Sequence, residues 1–174
     1  MACNTLESIL KGCENNTGGI YTAYIFDMTD IATVTVDPAT WSLSALTMLP
    51  LSPALSFEFK RNTSNFTDEA QIDLIAGSNY YLKTINLIFH RRDADKSKAI
   101  KILGEGQRYL GVVVGDANGN FWYFDYMQLK TVAGGSGTAR GDGSNYNLTL
   151  EGQGEFLAYS VSSAIAASIL VATS

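Results

Sequence analysis

The sequence predicts a mainly β protein, a sandwich or barrel of about ten short strands with one inserted α-helix. Alternation of apolar and polar residues recurs along most of the chain, and this period of two is typical of half-buried strands. Turn-forming residues separate the alternating runs at roughly ten-residue intervals, as in sandwiches and barrels. The 174 residues suit a single domain spanning 1–174, because no Pro- or Ser-rich linker divides them.

The predicted strands follow one another in a clear order along the chain. They are GIYTAYIFD, IATVTV, WSLSALTML, ALSFEFKR, AQIDLIA, YYLKTINLIFH, YLGVVVG, NFWYFDYM, NYNLTLE and EFLAYSV. Residues two apart in a strand lie on the same face, so two of these runs predict a core-facing set of side chains. The expected core residues are Tyr81, Ile85, Leu87 and Phe89 in the longest run, and Tyr146, Leu148 and Leu150 in the ninth.

Three connections carry residues that favour turns. Asp37 and Pro38 preset the backbone for a turn before the third run. The segment from Asp116 to Asn120 contains Asn-Gly, which supplies the positive φ that a hairpin needs. The Gly-rich stretch from Gly134 to Gly143 is expected to form a flexible connection.

One segment has a helical rather than an alternating period. Asp93 is suited to cap a helix through ADKSKAIKIL. Ala99, Ile100 and Leu103 form its apolar stripe, and Gly104 is expected to end it. A weaker helical pattern covers Thr5 to Lys11.

Composition and charge favour contacts with other protein chains over contacts with nucleic acid. Charged residues make up 17% of the chain, below the value of about 25% usual in soluble domains, which suggests that part of the surface is covered by other chains. The net charge of −5 leaves no basic excess to bind phosphates. The N-terminal segment lacks the basic start of a signal peptide, and the C-terminal apolar segment is too short and Ser-rich to span a bilayer. We therefore expect a soluble protein made in a cytoplasm, with no membrane partner.

No residue pattern predicts catalysis, a metal site or a cofactor. His90, the one histidine, ends a strand, and no nucleophile signature surrounds it. Cys3 and Cys13 fit a reducing compartment, and with His90 they lack the spacing of a metal site. The Asp116 segment superficially resembles a calcium loop, but its glycine comes too early and the distal Glu is missing.

Two further clusters leave alternatives open. Basic residues gather around the predicted helix, where they either contact an acidic patch on a neighbouring subunit or a sheath, or form a solvated face: Arg91, Arg92, Lys96, Lys98 and Lys101. The aromatic run from Phe121 to Tyr126 favours core packing on one parity and an interface on the other. A sugar-stacking platform is the alternative for this run.

The order of the elements resembles that of phage tail tube proteins, a family shared with contractile injection systems. The resemblance covers residues 18–161, and its two central features are a long strand followed by an inserted helix. The stretches that carry it are GGIYTAYIFDM, FEFKRNTSNFTDEA, YYLKTINLIFHRR with the following helix, YLGVVVGDANGNFWYF and NYNLTLEGQGEFLAYSV. No single short motif in them is diagnostic.

The resemblance implies a structural, non-enzymatic virion protein, assembled in the host cytoplasm. Its partners would be copies of itself in stacked hexameric rings, other tail proteins and, in a contractile tail, a sheath. DNA would pass through the lumen without specific binding. Arms at residues 1–18 and 162–174 and an extended loop or hairpin between Arg61 and Ala70 would link subunits. The predicted self-association residues are Arg61, Asn62, Asn65, Phe66, Arg91 and Arg92.

Other functions remain open at this stage. A tail terminator, neck or minor tail protein would share the fold. A carbohydrate-binding β-sandwich could use Trp41, Trp122 and several tyrosines. A glycosidase would need a pair of carboxylates, and no pair stands out by its spacing.

Overall fold

A computed structural model describes residues 8–9, 12–59 and 62–171. Cys3, Arg61 and almost all of the predicted helix from Thr5 to Lys11 lie outside these ranges. Within them the chain is mainly β with one main helix, which confirms the predicted fold class.

Ten strands and two α-helices make up the described chain. The strands are β1 (Ile20–Asp27), β2 (Ile31–Asp37), β3 (Ser42–Met48), β4 (Leu55–Glu58), β5 (Asn65–Asp73), β6 (Ser78–His90), β7 (Leu110–Asp116), β8 (Phe121–Gly135), β9 (Asn145–Gly154) and β10 (Tyr159–Val161). The helices are α1 (Ala94–Gly104) and α2 (Ser163–Ser168), with short 3₁₀ turns at Met28–Asp30 and Glu105–Gln107.

The strands form two sheets that share β8. The seven-stranded sheet has the order β2-β3-β10-β8-β7-β1-β4, and the four-stranded sheet has the order β5-β6-β9-β8. The first half of β8 pairs with β7 and β10, whereas residues 128–135 pair with β9. The 15-residue length of β8 is therefore what joins the sheets. The predicted Gly-rich connection is shorter than expected, because Gly134 and Gly135 are the last two residues of this strand.

A β-bulge marks the point where β8 passes from one sheet to the other. Val112 pairs with Phe124 and Leu110 pairs with Met127, so one residue of β7 faces two residues of β8. Tyr126, in the bulge, has a positive φ of 49°. A bulge bends its strand and increases the local twist, which is how one strand can serve both sheets.

The main core lies between the two sheets. Ile85 and Leu87 of β6 and Leu148 and Leu150 of β9 are buried there, as alternation predicted. They pack with Val112, Val114, Phe124 and Met127 from the seven-stranded sheet. Helix α1 adds Ile100 and Leu103 to this core, and the carboxylate of Asp93 caps it by accepting a hydrogen bond from the Lys96 amide at 2.8 Å.

A second core covers the other face of the seven-stranded sheet. Tyr123 and Val113 are buried in it, whereas their neighbours Phe124 and Val112 face the main core. The expectation that the aromatic run packs on one parity and leaves the other to an interface is therefore wrong for Tyr123 and Phe124. Burial of both residues could not be predicted from periodicity, because a strand that is covered on both faces shows no apolar–polar alternation.

Helix α2 closes the second core. Ala166 and Ile169 are each 1% exposed, and the Ser162 hydroxyl caps the helix by accepting a hydrogen bond from the Ile165 amide. This part of the C-terminal segment predicted as an arm is packed against the body of the domain.

Gly111 offers a test of the packing at the bulge. A Cβ at Gly111 would lie 2.2 Å from the Phe26 ring, so Gly111→Ala should lower the free energy of unfolding by about 1–3 kcal/mol. Gly141→Ala is the matched control, because its Cβ would meet nothing within 4 Å. Urea unfolding of both variants at equal concentration measures the difference, and equal midpoints would contradict the packing.

Candidate assembly surface

The outward face of the four-stranded sheet is mainly polar, and Tyr80, Leu82 and Ile88 of β6 are its large apolar side chains. Its core-facing residues alternate with side chains that point away from the main core. The outward set consists largely of amides and hydroxyls: Asn65, Thr67, Gln71, Thr84, Asn86, Gln128, Thr131, Asn145, Asn147, Thr149 and Gln153. Some of these pair with one another, as in the 3.0 Å hydrogen bond from Thr149 Oγ1 to Asn86 Oδ1.

Charge on this face is sparse and mostly acidic. Glu69, Asp73 and Glu151 are its acids, by the register of their strands. Lys130, at an irregularity in β8, forms an ion pair with Glu151. A face of this kind offers hydrogen bonds to water and no concentration of positive charge for phosphates.

Both edges of the four-stranded sheet are free among the described strands. β5 pairs only with β6, and residues 128–135 of β8 pair only with β9. Each edge therefore presents a row of unpaired backbone N–H and C=O groups, which is a template for another strand. The two edges are similar in length, at nine residues in β5 and eight in this part of β8.

The strand directions make the two edges complementary. Every neighbouring pair in the order β5-β6-β9-β8 is antiparallel, so β5 and β8 run in opposite directions. A second copy placed beside the first, with the same orientation, brings its β5 antiparallel to the first copy's β8. This head-to-tail contact leaves the same two edges free at the ends, so it can repeat until a ring closes.

The β5–β6 hairpin projects beyond the rest of the sheet. β9 pairs with β6 only from Tyr81 onward, so Ser78, Asn79 and Tyr80 contact β5 alone. This overhang measures about 10 Å. At its turn Leu74 is 91% exposed and Ile75 is 100% exposed. Two large aliphatic side chains held fully in water indicate a contact site.

Two of the predicted self-association residues, Asn65 and Phe66, begin β5. The segment from Arg61 to Ala70 is therefore not a loop over this part, but the first arm of the hairpin. Asn65 is exposed at the edge, whereas the Phe66 ring packs inward on Phe124 with ring centroids 5.2 Å apart. Asn62 lies in the preceding turn with a φ of 61°. Arg61 is outside the described residues.

Arg91 and Arg92 lie at the other end of the hairpin, after β6. Arg91 has a φ of 61°, and its backbone carbonyl accepts a hydrogen bond from Lys96 Nζ. The Arg92 guanidinium stands over the Tyr146 ring at 4.6 Å, a cation–π contact that holds it within the subunit. Both arginines follow the end of β6 and therefore do not belong to β5, the strand that forms the free edge of the sheet.

The residues weighed as catalytic or metal-binding do not converge. His90 is exposed at the end of β6, beside Glu58, Phe59 and Lys96. Cys13 is exposed and free. No group of three or more His, Cys, Asp or Glu side chains in the described ranges is arranged to hold a metal ion.

The two tryptophans predicted as a possible sugar platform are used differently. Trp122 donates its indole N–H to Asp116 at 2.9 Å. Trp41 is 44% exposed, but its ring meets Phe156 at a centroid distance of 4.6 Å and a tilt of 36°. Trp122 is thus bound to the Asp116 turn, and Trp41 packs against Phe156.

A buried charge on the core side of the four-stranded sheet was missed by the sequence reasoning. Lys83 is 1% exposed and its Nζ lies 2.6 Å from Asp125 Oδ1. The available signal was its position between Tyr81 and Ile85 on the predicted core parity. The side chain extends across β9 to reach β8.

The chain matches no protein-family model, and the comparison with curated proteins found no match. Within the described residues, no helix has the length and apolar character needed to span a membrane.

The carboxylate of Asp116 organises the hairpin turn that resembled a calcium loop. Burial raises its pKa, but hydrogen bonds from Trp122, from Asn120 and from the Asn118 amide outweigh burial, so the pKa lies below its usual range. The carboxylate is thereby occupied by its own turn. A group with a lowered folded-state pKa stabilises the fold above the unfolded-state pKa and loses that contribution as the pH falls through the folded-state value.

Asp116→Asn should therefore lower the free energy of unfolding by about 1–3 kcal/mol at neutral pH. The difference in unfolding free energy between Asp116→Asn and the original protein should shrink as the pH falls below about 4. Urea unfolding across this pH range measures it, with the exposed Glu14→Gln as control. A difference that stays constant with pH would contradict this role of Asp116.

Proposed function

We propose that this protein is a structural subunit of a phage tail tube, which assembles into stacked hexameric rings that conduct DNA. The observation that carries the proposal is the four-stranded sheet. Its two free edge strands run in opposite directions, so that copies side by side can pair them antiparallel, and its outward face is mainly polar. In the ring, β5 of one copy pairs with residues 128–135 of the next. The outward faces then line the lumen.

The dimensions of such a ring support the proposal. Six copies with four strands each bring together about 24 strands, and at about 4.8 Å between strands the wall measures roughly 115 Å around. That corresponds to about 37 Å across between backbones, before strand tilt widens it. Side chains on the lumen face still leave room for a duplex.

The chemistry of the outward face suits a conduit for DNA. Tight binding of phosphates depends on Lys and Arg, and the described outward positions carry mainly Asn, Gln and Thr. The acidic net charge of −5 adds a weak repulsion. DNA can move past such a wall without stopping at it.

The exposed hairpin turn supports stacking of rings. Leu74 and Ile75 project past β9 at one end of the sheet, so within a ring all copies would present these side chains on the same side. Burial of the two against the next ring removes apolar surface from water, at roughly 25 cal/mol per Å².

A tail terminator or neck protein is the alternative within the same class. Such a protein would form rings through the same edges, but its rings would not stack into tubes. Electron microscopy of the purified protein separates the two functions.

Val132, 47% exposed at the free edge of β8, tests the ring contact. Val132→Asp would place a carboxylate at the edge that pairs with β5 of the next copy, where ring formation would strip it of water without supplying a partner, so rings should be abolished. Val34→Asp is the matched control, because Val34 is 40% exposed on the edge strand β2 of the other sheet. Negative-stain microscopy and light scattering read the result.

The ring contact is contradicted if Val132→Asp still assembles while Val34→Asp does not. A protein that stays monomeric at high concentration without any substitution would contradict the proposed function as a whole.

Leu74→Ser with Ile75→Ser tests stacking separately from ring formation. Because both side chains are free of the subunit's own core, the double variant should keep its fold and form single rings without tubes. Val171→Ser, at a residue 64% exposed elsewhere, should leave tubes intact. Tubes of normal length from the double variant would overturn this role of the hairpin turn.

A further inference from the structure

Lys83 is placed on the core side of β6 by its strand and is enclosed there by small residues of β9. Its register partner in β9 is Gly152. A Cβ at Gly154 would lie 3.1 Å from Lys83 Nζ, so any larger residue there would press against the amine. Gly154 therefore leaves the space that the end of the lysine side chain occupies as it crosses β9.

The crossing ends at Asp125, beside the bulge in β8. Lys83 Nζ lies 2.6 Å from Asp125 Oδ1, and the Tyr159 ring covers the amine at 5.8 Å from its centroid. The Lys83 side chain is 1% exposed and the Asp125 side chain 25% exposed, so the loss of hydration falls mainly on the amine. Condensation of the pair requires the neutral amine and the carboxylic acid, and a single proton transfer along the 2.6 Å contact connects these to the ion pair. A neutral amine is a nucleophile.

A second carboxyl group lies on the opposite side of Lys83. Asp68 of β5 is the register partner of Lys83. Its Oδ2 accepts a hydrogen bond from the Ala158 amide at 3.0 Å, whereas its Oδ1 is buried without a partner. Burial raises the pKa of Asp68, although the Ala158 amide and the charge of Lys83 oppose the shift. The acid form of Asp68 therefore persists to higher pH and can donate a proton.

We propose that Lys83 and Asp125 form an isopeptide bond autocatalytically, with Asp68 as the group that transfers the proton. Nζ of the neutral amine attacks Cγ of the protonated Asp125, the Nζ–Cγ bond forms, and a Cγ–O bond breaks. The leaving hydroxyl takes up a proton from the amine by way of Asp68 and departs as one water molecule. No oxidant, nucleotide or metal is needed, because the reaction is a condensation of an amine and an acid.

The bond would join β6 to β8 across β9, at the point where β8 leaves the four-stranded sheet. It would close a loop between positions 42 residues apart and prevent the two sheets from separating at the bulge. The proposal is independent of ring formation, since all three residues belong to one subunit.

Intact-mass spectrometry of the denatured, purified protein tests the proposal directly. The mass should be lower than that of the unmodified chain by one water, and fragmentation should identify a branched peptide that joins Lys83 to Asp125. Lys83→Arg should have the full mass. Asp125→Asn should form the same bond with loss of ammonia instead of water, and Asp68→Ala should slow or abolish the reaction.

A full, unmodified mass after prolonged incubation of the folded protein would overturn the proposal and leave an ion pair only. Loss of water that persists in Lys83→Arg would overturn it as well, because it would come from another site. The branched peptide of the original protein keeps the test decisive if a variant fails to fold.

Discussion

β8 is a member of both sheets, and the bulge at Asp125 and Tyr126 is where it changes from one to the other. The two sheets are therefore joined along one side by a continuous backbone, and on that side the chain needs no further contact to hold them in register. The close approach at the bulge depends on a neighbour without a side chain, because a Cβ at Gly152 would lie 2.7 Å from the Met127 sulfur. The main core, the crossing of Lys83 and the placing of α1 all follow from this junction.

The same junction explains why the four-stranded sheet has open edges. Once residues 128–135 have left the seven-stranded sheet, they have β9 on one side and no described strand on the other. β5, at the far edge, is nine residues long and has no proline, and its charged residues are the acids Asp68, Glu69 and Asp73. Two exposed edges of similar length are a hazard for a monomer, and the proposed ring would cover both.

Much of the fold could be predicted from the sequence because the four-stranded sheet has one buried face and one mainly polar face. Ile85, Leu87, Leu148 and Leu150 alternate with polar residues and are all buried. β7 and the first half of β8 are covered on both faces, so Tyr123 and Phe124 are both buried and periodicity gave no information about their faces. Lys83 breaks the apolar pattern on the core parity, and only the position of Asp125 in space explains why a charge is accepted there.

The assembly surface was less predictable than the fold. The low fraction of charged residues and the acidic net charge favoured other protein chains as partners over nucleic acid. The position of the free edges, however, depends on the strand order, which no local sequence pattern encodes. The sequence predicts a strand through Ala76, because Leu74 and Ile75 extend an apolar run, whereas β5 ends at Asp73 and these two residues lie in the hairpin turn. Asp73 ends that strand, since its carboxylate accepts hydrogen bonds from the amides of Ile75 and Ala76.

Amide hydrogen exchange, compared between dilute and assembled protein, tests most directly whether a neighbouring copy completes the four-stranded sheet. Amides hydrogen-bonded within a sheet exchange slowly, whereas free edge amides exchange fast. Assembly should slow exchange in Asn65–Asp73 and in residues 128–135, and leave the β2 edge, Ile31–Asp37, unchanged. Protection that appears at β2 instead, or at neither edge while oligomers form, would contradict the account.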